Sequence, residues 1–234
     1  MNDQLSLPLG GAPADDIAEP IELPARLAFP LATDGGRPFD DDTFFFEPWW
    51  PGTHAYLRRA GSQLEMHVEH LSDPLVTFPE LGSDIEGLAA DGLIMEGTLM
   101  ALDEEGRPDI SLLRRRLSGA SDGVAEGAFV ASDLVNLEGR SLARRPFVER
   151  RRQLAGVMKD TEHRVVGRGL LGEGVTLAHA AASLGLAAIS ARRLDGRWKS
   201  GAAGDAWLRL PVTVTPASPT RPLMVLLEKL PLDG

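Results

Sequence analysis

The chain has no cysteine and, in 234 residues, only three lysines: Lys159, Lys199 and Lys229. Without cysteine there is neither a disulfide nor a thiolate metal site. With three amines, any chemistry that needs a lysine nucleophile has few places to find one. No apolar run approaches the ~20 residues that a membrane-spanning helix requires. No charged and then apolar leader opens the sequence. The expected location is therefore a reducing cytoplasm, with no membrane partner.

What is present is 43% hydrophobic residues, enough for one substantial core, and a formal charge of −10. The charge is unevenly spread. Residues 1–47 carry ten acidic groups against Arg26 and Arg37, which leaves −2 for the remaining 187 residues. Basic groups in that larger part are nearly all arginine and clustered: Arg114 to Arg116, Arg144 with Arg145, Arg150 to Arg152, and Arg192 with Arg193. Each cluster is a candidate phosphate-contacting patch or, more simply, a solvated helix face.

Residues 1–25, rich in Pro, Gly, Ala and acid, are expected to form a flexible acidic tail. A folded domain is expected over 26–215, and a C-terminal strand or tail over 216–234. Leu64, Met66 and Val68 alternate with Glu65, His67 and Glu69, the period of a half-buried strand; Ala55 to Arg59 forms the other arm of a hairpin turning at Ala60-Gly61-Ser62. Leu93 to Leu102 reads as a strand closed by the turn Asp103 to Gly106. Ile110, Leu112, Leu113 and Leu117 mark a short helix, and Ala128 to Leu134 a strand. A helix begins at Pro146 and carries Phe147, Arg151, Leu154 and Met158. Thr176 is the expected cap of an Ala-rich helix that stops at Gly185. Strands are expected over Ala187 to Leu194, Trp207 to Thr215 and Leu223 to Leu230. Helices and strands mix without strict alternation, which predicts an α+β fold on mostly antiparallel sheets flanked by helices.

Glu47 to Ala55 reads E-P-W-W-P-G-T-H-A. It resembles the active-site segment Glu-Pro-Lys-x-Asp-Gly-x-Arg-Ala of ATP-dependent DNA ligases. The resemblance to the ligase adenylation (nucleotidyltransferase) domain, of the kind found in bacterial repair ligases, covers roughly residues 29–212. Its landmarks keep their order: Pro30-Leu31-Ala32-Thr33, Phe78-Pro79-Glu80-Leu81, Met95 to Leu99, Leu102 to Asp109, Asp133 to Gly139, Gly185 to Arg193, and Trp207 to Pro211. It implies an ATP-grasp-like nucleotidyltransferase fold. After Pro211 too little chain is seen for the five-stranded oligonucleotide-binding barrel that completes such enzymes, so no complete barrel is expected.

At the positions that the resemblance makes chemical, the residue types differ. Trp49 stands at the nucleophilic lysine, Pro51 at the aspartate and His54 at the arginine. Thr98 and Ala187 replace two carboxylates that would hold ribose and metal, Ser132 replaces an aromatic at the adenine site, and Arg209 and Pro211 replace two phosphate-reading lysines. Val68-Glu69 falls where a Ser-Arg pair is expected. An indole nitrogen keeps its lone pair in the ring and cannot attack a phosphate as an amine does. Arginine still binds phosphate, and proline does not. Trp49 is expected to plug the vacated pocket or, with Trp50, to offer a stacking platform. Asp133, Arg192 and Arg209 are the remaining candidates for nucleotide or DNA contact. No cofactor or metal is expected; ATP and Mg²⁺ enter only if the chain is an enzyme after all.

Gln4-Leu5-Ser6-Leu7-Pro8-Leu9 resembles the peptide that hooks bacterial replication and repair proteins onto the DNA sliding clamp. The glutamine amide both donates and accepts, while Leu5, Leu7 and Leu9 supply spaced apolar groups for a cleft. The expected partners are therefore the clamp and other repair or replication proteins, with weak DNA binding at most and a place at the nucleoid. Three functions stay open: a catalytically inactive ligase-like scaffold, an atypical ligase or nucleotidyltransferase that needs a partner, and a nucleotide-binding sensor.

Overall fold

The computed structural model describes residues 28–83, 85–120, 125–213, 222–227 and 230. The proposed tail, with Gln4, Leu5, Leu7 and Leu9, lies outside them. In chain order the early strands are β1 (Pro30–Leu31), β2 (Thr33–Asp34), β3 (Asp41–Pro48), β4 (Thr53–Ala60), β5 (Gln63–Val68) and β6 (Leu93–Leu102). Next come β7 (Glu126–Leu137), β8 (Arg140–Ser141), β9 (Arg164–Val166), β10 (Leu170–Gly172), β11 (Ala188–Arg193), β12 (Gly201–Ala202) and β13 (Trp207–Pro211). The helices are α1 (Pro74–Thr77), α2 (Ile110–Leu117), α3 (Phe147–Val157), α4 (Gly174–Ser183) and α5 (Leu223–Leu227). None of them is long and apolar enough to cross a membrane.

Two mostly antiparallel sheets carry the domain, as the α+β reading expects. One runs β5-β4-β6-β7-β8, with β9 parallel to β7; the other runs β10-β3-β11-β13-β2, with β2 parallel to β13. A parallel β1–β12 pair stands apart. One core packs α1, α2 and α3 against the first sheet through Leu57, Phe78, Leu99, Leu113, Phe129 and Leu154. The second joins the sheets and receives α4 and α5 through Phe44, Phe46, Met100, Val130, Leu177 and Ile189.

The hairpin forms where alternation places it, with Leu57 opposite Met66 and Ala55 opposite Val68. The motif Phe78-Pro79-Glu80-Leu81 is a clamp. The Glu80 carboxylate accepts from Arg116 Nη1 at 2.5 Å and from the Gly127 amide, while Arg116 lies 4.2 Å over the Phe78 ring and also donates to Thr77 O at 2.5 Å and Ala125 O at 2.6 Å. That locks α2 and the start of β7 to the turn. Asp109 caps α2 by accepting from Ser111 N at 2.6 Å and Leu112 N at 3.1 Å.

Three local readings are corrected. Leu223–Leu227 is a helix and not a strand: Leu223, Leu227 and Leu230 recur at helical spacing and are all buried in the second core. Thr176 lies inside α4, whose N-cap is Glu173; the Val175 amide there donates to Asp40 Oδ1 at 2.8 Å. The stop at Gly185 holds, with φ +78° and the Leu186 amide returning to Ala181 O at 2.9 Å. The inner arginines of the clusters are not phosphate patches. Arg116, Arg150, Arg151 and Arg192 are buried and turn inward onto carboxylates.

Candidate functional site

The site lies between the sheets, and strand register builds it. Across the first sheet Tyr56, Glu96 and Asp133 stand in one row, with His54 and Thr98 in the next row but one. Across the second, Phe45, Arg192 and Trp207 form one row and Glu47, Ser190 and Arg209 another. A register shift between Glu96 and Gly97 leaves Ser132 as an extra residue of β7, a bulge that places it on the cavity wall. Gly97 is required there: a Cβ would strike the Val130 carbonyl oxygen and the Phe129 ring.

Three carboxylates and three guanidiniums meet in this seam. Asp133, fully buried, accepts from Arg150 Nε at 2.8 Å and Nη2 at 2.7 Å, and from Arg192 Nη1 at 3.3 Å. Glu96 accepts from Arg192 Nη2 at 3.0 Å and from Trp198 Nε1 at 2.8 Å. Glu47 lies 3.4 Å from Arg151, whose Nη2 donates to the Gly167 carbonyl. The formal charges balance. Burial raises the Glu47 pKa above its ordinary value, with the Arg151 and Arg192 charges opposing that shift. Burial outweighed by the Glu96, Asp133 and Glu47 carboxylates holds Arg192 firmly protonated. The Tyr56 hydroxyl is buried with no hydrogen-bond partner among the described residues; burial, and then the nearby Glu96 charge, push its pKa up.

Above the seam the aromatic rings close in. Arg192 sits 4.1 Å over the Trp207 ring, and on it His54 stacks at 5.4 Å between centroids, 17° from parallel. Trp207 Nε1 donates to Ser190 Oγ at 2.7 Å. Burial lowers the His54 pKa below its ordinary value, with the Glu96 charge opposing that shift. Trp49, Trp50, His54, Thr98, Ser132 and Ser190 line the space left over, about 50 Å³. That holds a few waters and falls short of the ~300 Å³ at which pockets for drug-sized ligands begin.

The sequence-derived positions separate accordingly. Trp49, His54 and Thr98 share the cavity. Pro51 and Ala187 line an adjoining open groove of about 380 Å³, whose wall Trp49 also forms. Arg209 lies 5.6 Å over the Trp49 ring and 3.5 Å from Asp34, while Pro211 is exposed opposite Ala188. Trp49 is half-buried at the rim, its centroid 5.9 Å from that of Trp207, so the plug is not Trp49. Trp207, His54 and Arg192 fill the space, and Trp50 is the tryptophan of the pair that enters the core. Asp133, a candidate ligand contact in the sequence, is committed to two arginines. Neither Lys159 nor Lys199 lines the cavity. Among the described residues no group of three or more His, Asp or Glu is arranged to hold a metal.

Sequence reasoning did not anticipate Glu47, Glu96, Arg150, Arg151, Trp198 or Trp207 as one network. The available signal was an acid inside each of three apolar strand segments, matched by arginines beside the apolar positions of α3.

Comparison with known proteins agrees with this architecture. No protein-family model matches. The SPbeta prophage-derived DNA ligase-like protein LigB of Bacillus subtilis is 22% identical over 174 residues, covering 74% of this chain and 63% of that protein. A probable DNA ligase of Streptomyces griseus is 28% identical over 173 residues, covering 68% and 34%. The multifunctional non-homologous end joining protein LigD of Mycolicibacterium smegmatis is 24% identical over 187 residues, covering 80% and 24%. The chain thus spans less than two thirds of the length of these relatives. Among solved structures, a mycobacterial DNA ligase D complexed with ATP and MES superposes with a TM-score of 0.66 at 23% identity, covering 79% of this chain and 60% of that one. The ligase domain of LigD from M. tuberculosis gives 0.64 at 23% identity, covering 78% and 58%. The fold is that of a DNA-ligase nucleotidyltransferase domain, and the sequence relatives include a DNA ligase-like protein and a probable DNA ligase.

Proposed function

We propose that this DNA-ligase-like domain does not transfer adenylate and works instead as an interaction factor in DNA repair or replication, held at the sliding clamp by Gln4, Leu5, Leu7 and Leu9. One observation carries the reading: an indole, Trp49, stands where the ligase resemblance requires an amine, beside a cavity already filled by Trp207, His54 and Arg192. Phosphoryl transfer depends on positioned charge and an activated nucleophile. Here the arginines near the cavity are neutralised by protein carboxylates, and Thr98 and Ala187 supply none for a metal.

The test is incubation of the full chain with Mg²⁺ and ATP labelled on the α-phosphate, followed by denaturing electrophoresis. No label is expected at the 25.1 kDa of the chain; a labelled band overturns the reading. For the clamp, loss of capture in a Gln4→Ala, Leu7→Ala variant is expected, and undiminished capture removes that part.

A second reading has its own observation. His54 lies on the cavity wall and is the candidate nucleophile for an atypical transferase. Label that appears in the wild type and disappears in His54→Ala would establish it. The sensor reading is the weakest, because full burial of Asp133 leaves Arg209 and the rim residue Trp49 to meet a nucleotide; a micromolar change of tryptophan fluorescence on adding ATP would revive it.

A further inference from the structure

The chain enters the described domain beside a pair of basic loops. Phe29 is buried in a small apolar cluster with Tyr56, Ile94 and Val135, and Trp198 packs against it. The Gly201 amide donates to Phe29 O and the Ala203 amide to Leu31 O, both at 3.0 Å, which pairs β1 with β12. Residues 1–27 are thereby rooted beside the loop that carries Arg197 and Lys199. That loop is fastened to a second one, which carries Arg144 and Arg145. The Trp198 amide donates to Ala143 O at 2.9 Å and the Val148 amide to Leu194 O at 3.0 Å. Buried Arg150 joins both from beneath, with Nη1 donating to Arg145 O and, at 3.0 Å, to Gly196 O, while its other nitrogens hold Asp133. On this rigid footing Arg144, Arg145, Arg197 and Lys199 are all exposed. Arg145 lies 3.9 Å from Glu149, and the nearby Asp195 is taken by Arg193 at 3.1 Å. No ion pair engages Arg144, Arg197 or Lys199 among the described residues.

The segment rooted there has the opposite charge. Residues 1–27 hold Asp3, Asp15, Asp16, Glu19 and Glu22 against Arg26 alone. All but Asp3 fall within residues 15–22, with Ile17 and Ile21 among them. Glu22 lies six positions before Ala28, which is no more than about 20 Å of extended chain. We propose that the acidic stretch of residues 15–22 docks in cis on the paired loops, which form a binding surface for a carboxylate-rich peptide. Carboxylates take the arginine fork in paired hydrogen bonds, and Lys199 adds a point charge. Trp198, half-buried between Arg197 and Lys199, offers an apolar ledge to Ile17 or Ile21. A ligand on a short tether acts at an effective concentration on the order of millimolar, which lets weak pairs hold. Loops already pinned by Arg150 lose little freedom on binding. The contact is exposed and therefore screened, since the Debye length falls from about 10 Å at 0.1 M salt to about 3 Å at 1 M. It draws on neither the clamp peptide nor the ligase-like reading.

The experiment treats the full chain with a water-soluble carbodiimide, which joins a carboxylate to a lysine amine in contact as an amide, with loss of water. Digestion and mass spectrometry then map the links. Lys199 is the amine of the patch, and exposed Lys159 is the reference. At low salt, Lys199 is expected to link to residues 15–22 in clear excess over Lys159. R144Q/R145Q/R197Q keeps Lys199 and the tether, and should lower that yield by about tenfold. R114Q on α2 should leave it unchanged. The substituted side chains are exposed, so thermal unfolding should be the same in every variant. A mixture of isotope-labelled and unlabelled chains should give links within one chain only. Absence of the Lys199 links in wild type, or an equal yield in the triple variant, as a tether alone would give, would overturn the proposal. So would links undiminished at about 1 M salt or links that join labelled to unlabelled chains.

Discussion

Asp133→Asn keeps the shape of the most buried acid of the seam and removes its charge. In the wild type its carboxylate faces the Arg150 fork at 2.7 and 2.8 Å and Arg192 at 3.3 Å, with no solvent exposure. The variant leaves three guanidiniums against two carboxylates in a closed interior. Breaking a buried pair by removing one partner costs about 3–5 kcal/mol, because the remaining charge is left uncompensated. For a domain of this size that lowers Tm by roughly 6–20 °C. Urea titration and calorimetry of wild type, Asp133→Asn, Arg150→Met and the double variant read the effect directly. The double variant is expected to lose less than the sum of the single variants by about 2 kcal/mol, because each single change already breaks the pair. A loss within about 0.5 kcal/mol for Asp133→Asn, or additivity within the same margin, would refute the account of the seam.

Glu47→Gln should change the dependence of stability on pH. Because the folded pKa of Glu47 is raised, its contribution is fully present below the ordinary value of 4.5 and is lost as pH rises through the folded pKa. The stability of Glu47→Gln relative to wild type should therefore improve as pH rises above 4.5 in urea titrations; a flat difference defeats this. Tyr56→Phe removes a hydroxyl that has no hydrogen-bond partner among the described residues and keeps the ring stacked 4.6 Å from Phe29, so it should be neutral or stabilise by about 1 kcal/mol. A clear loss of stability would mean that the hydroxyl is satisfied. Trp49→Lys restores an amine without emptying the space held by Trp207 and Arg192; with labelled ATP it should still give no adduct, and a labelled band would show that the single replacement suffices.

The parts legible in the sequence were those whose periodicity faces one core and one solvent side. The β4–β5 hairpin, β6, α2 and α3 all lie where alternation or helical spacing puts them. β3 escaped because Phe44-Phe45-Phe46 buries both faces, one in the core under α4 and the other against Phe147 and Arg151, which erases the period. α5 was misread because a run of Leu and Val suggests a strand, although the buried set recurs at four and three residues. Ligase-like landmarks located Trp49, His54 and Thr98 in one cavity. They gave no sign that the arginines of the clusters point inward, since a charge run reads the same on a solvated face as beside buried acids that lie 17 to 96 residues away for Arg150, Arg116 and Arg192.

Arg150 has a further consequence for motion. A single guanidinium satisfies the interior at Asp133 and the two surface loops at Arg145 O and Gly196 O. Surface loops ordinarily fray first, at almost no free-energy cost. These two cannot detach without unmaking the contact at the centre of the molecule. The Trp198 amide should accordingly exchange its hydrogen on the timescale of global opening, and the loops behave as part of one cooperative unit with the sheets they cover.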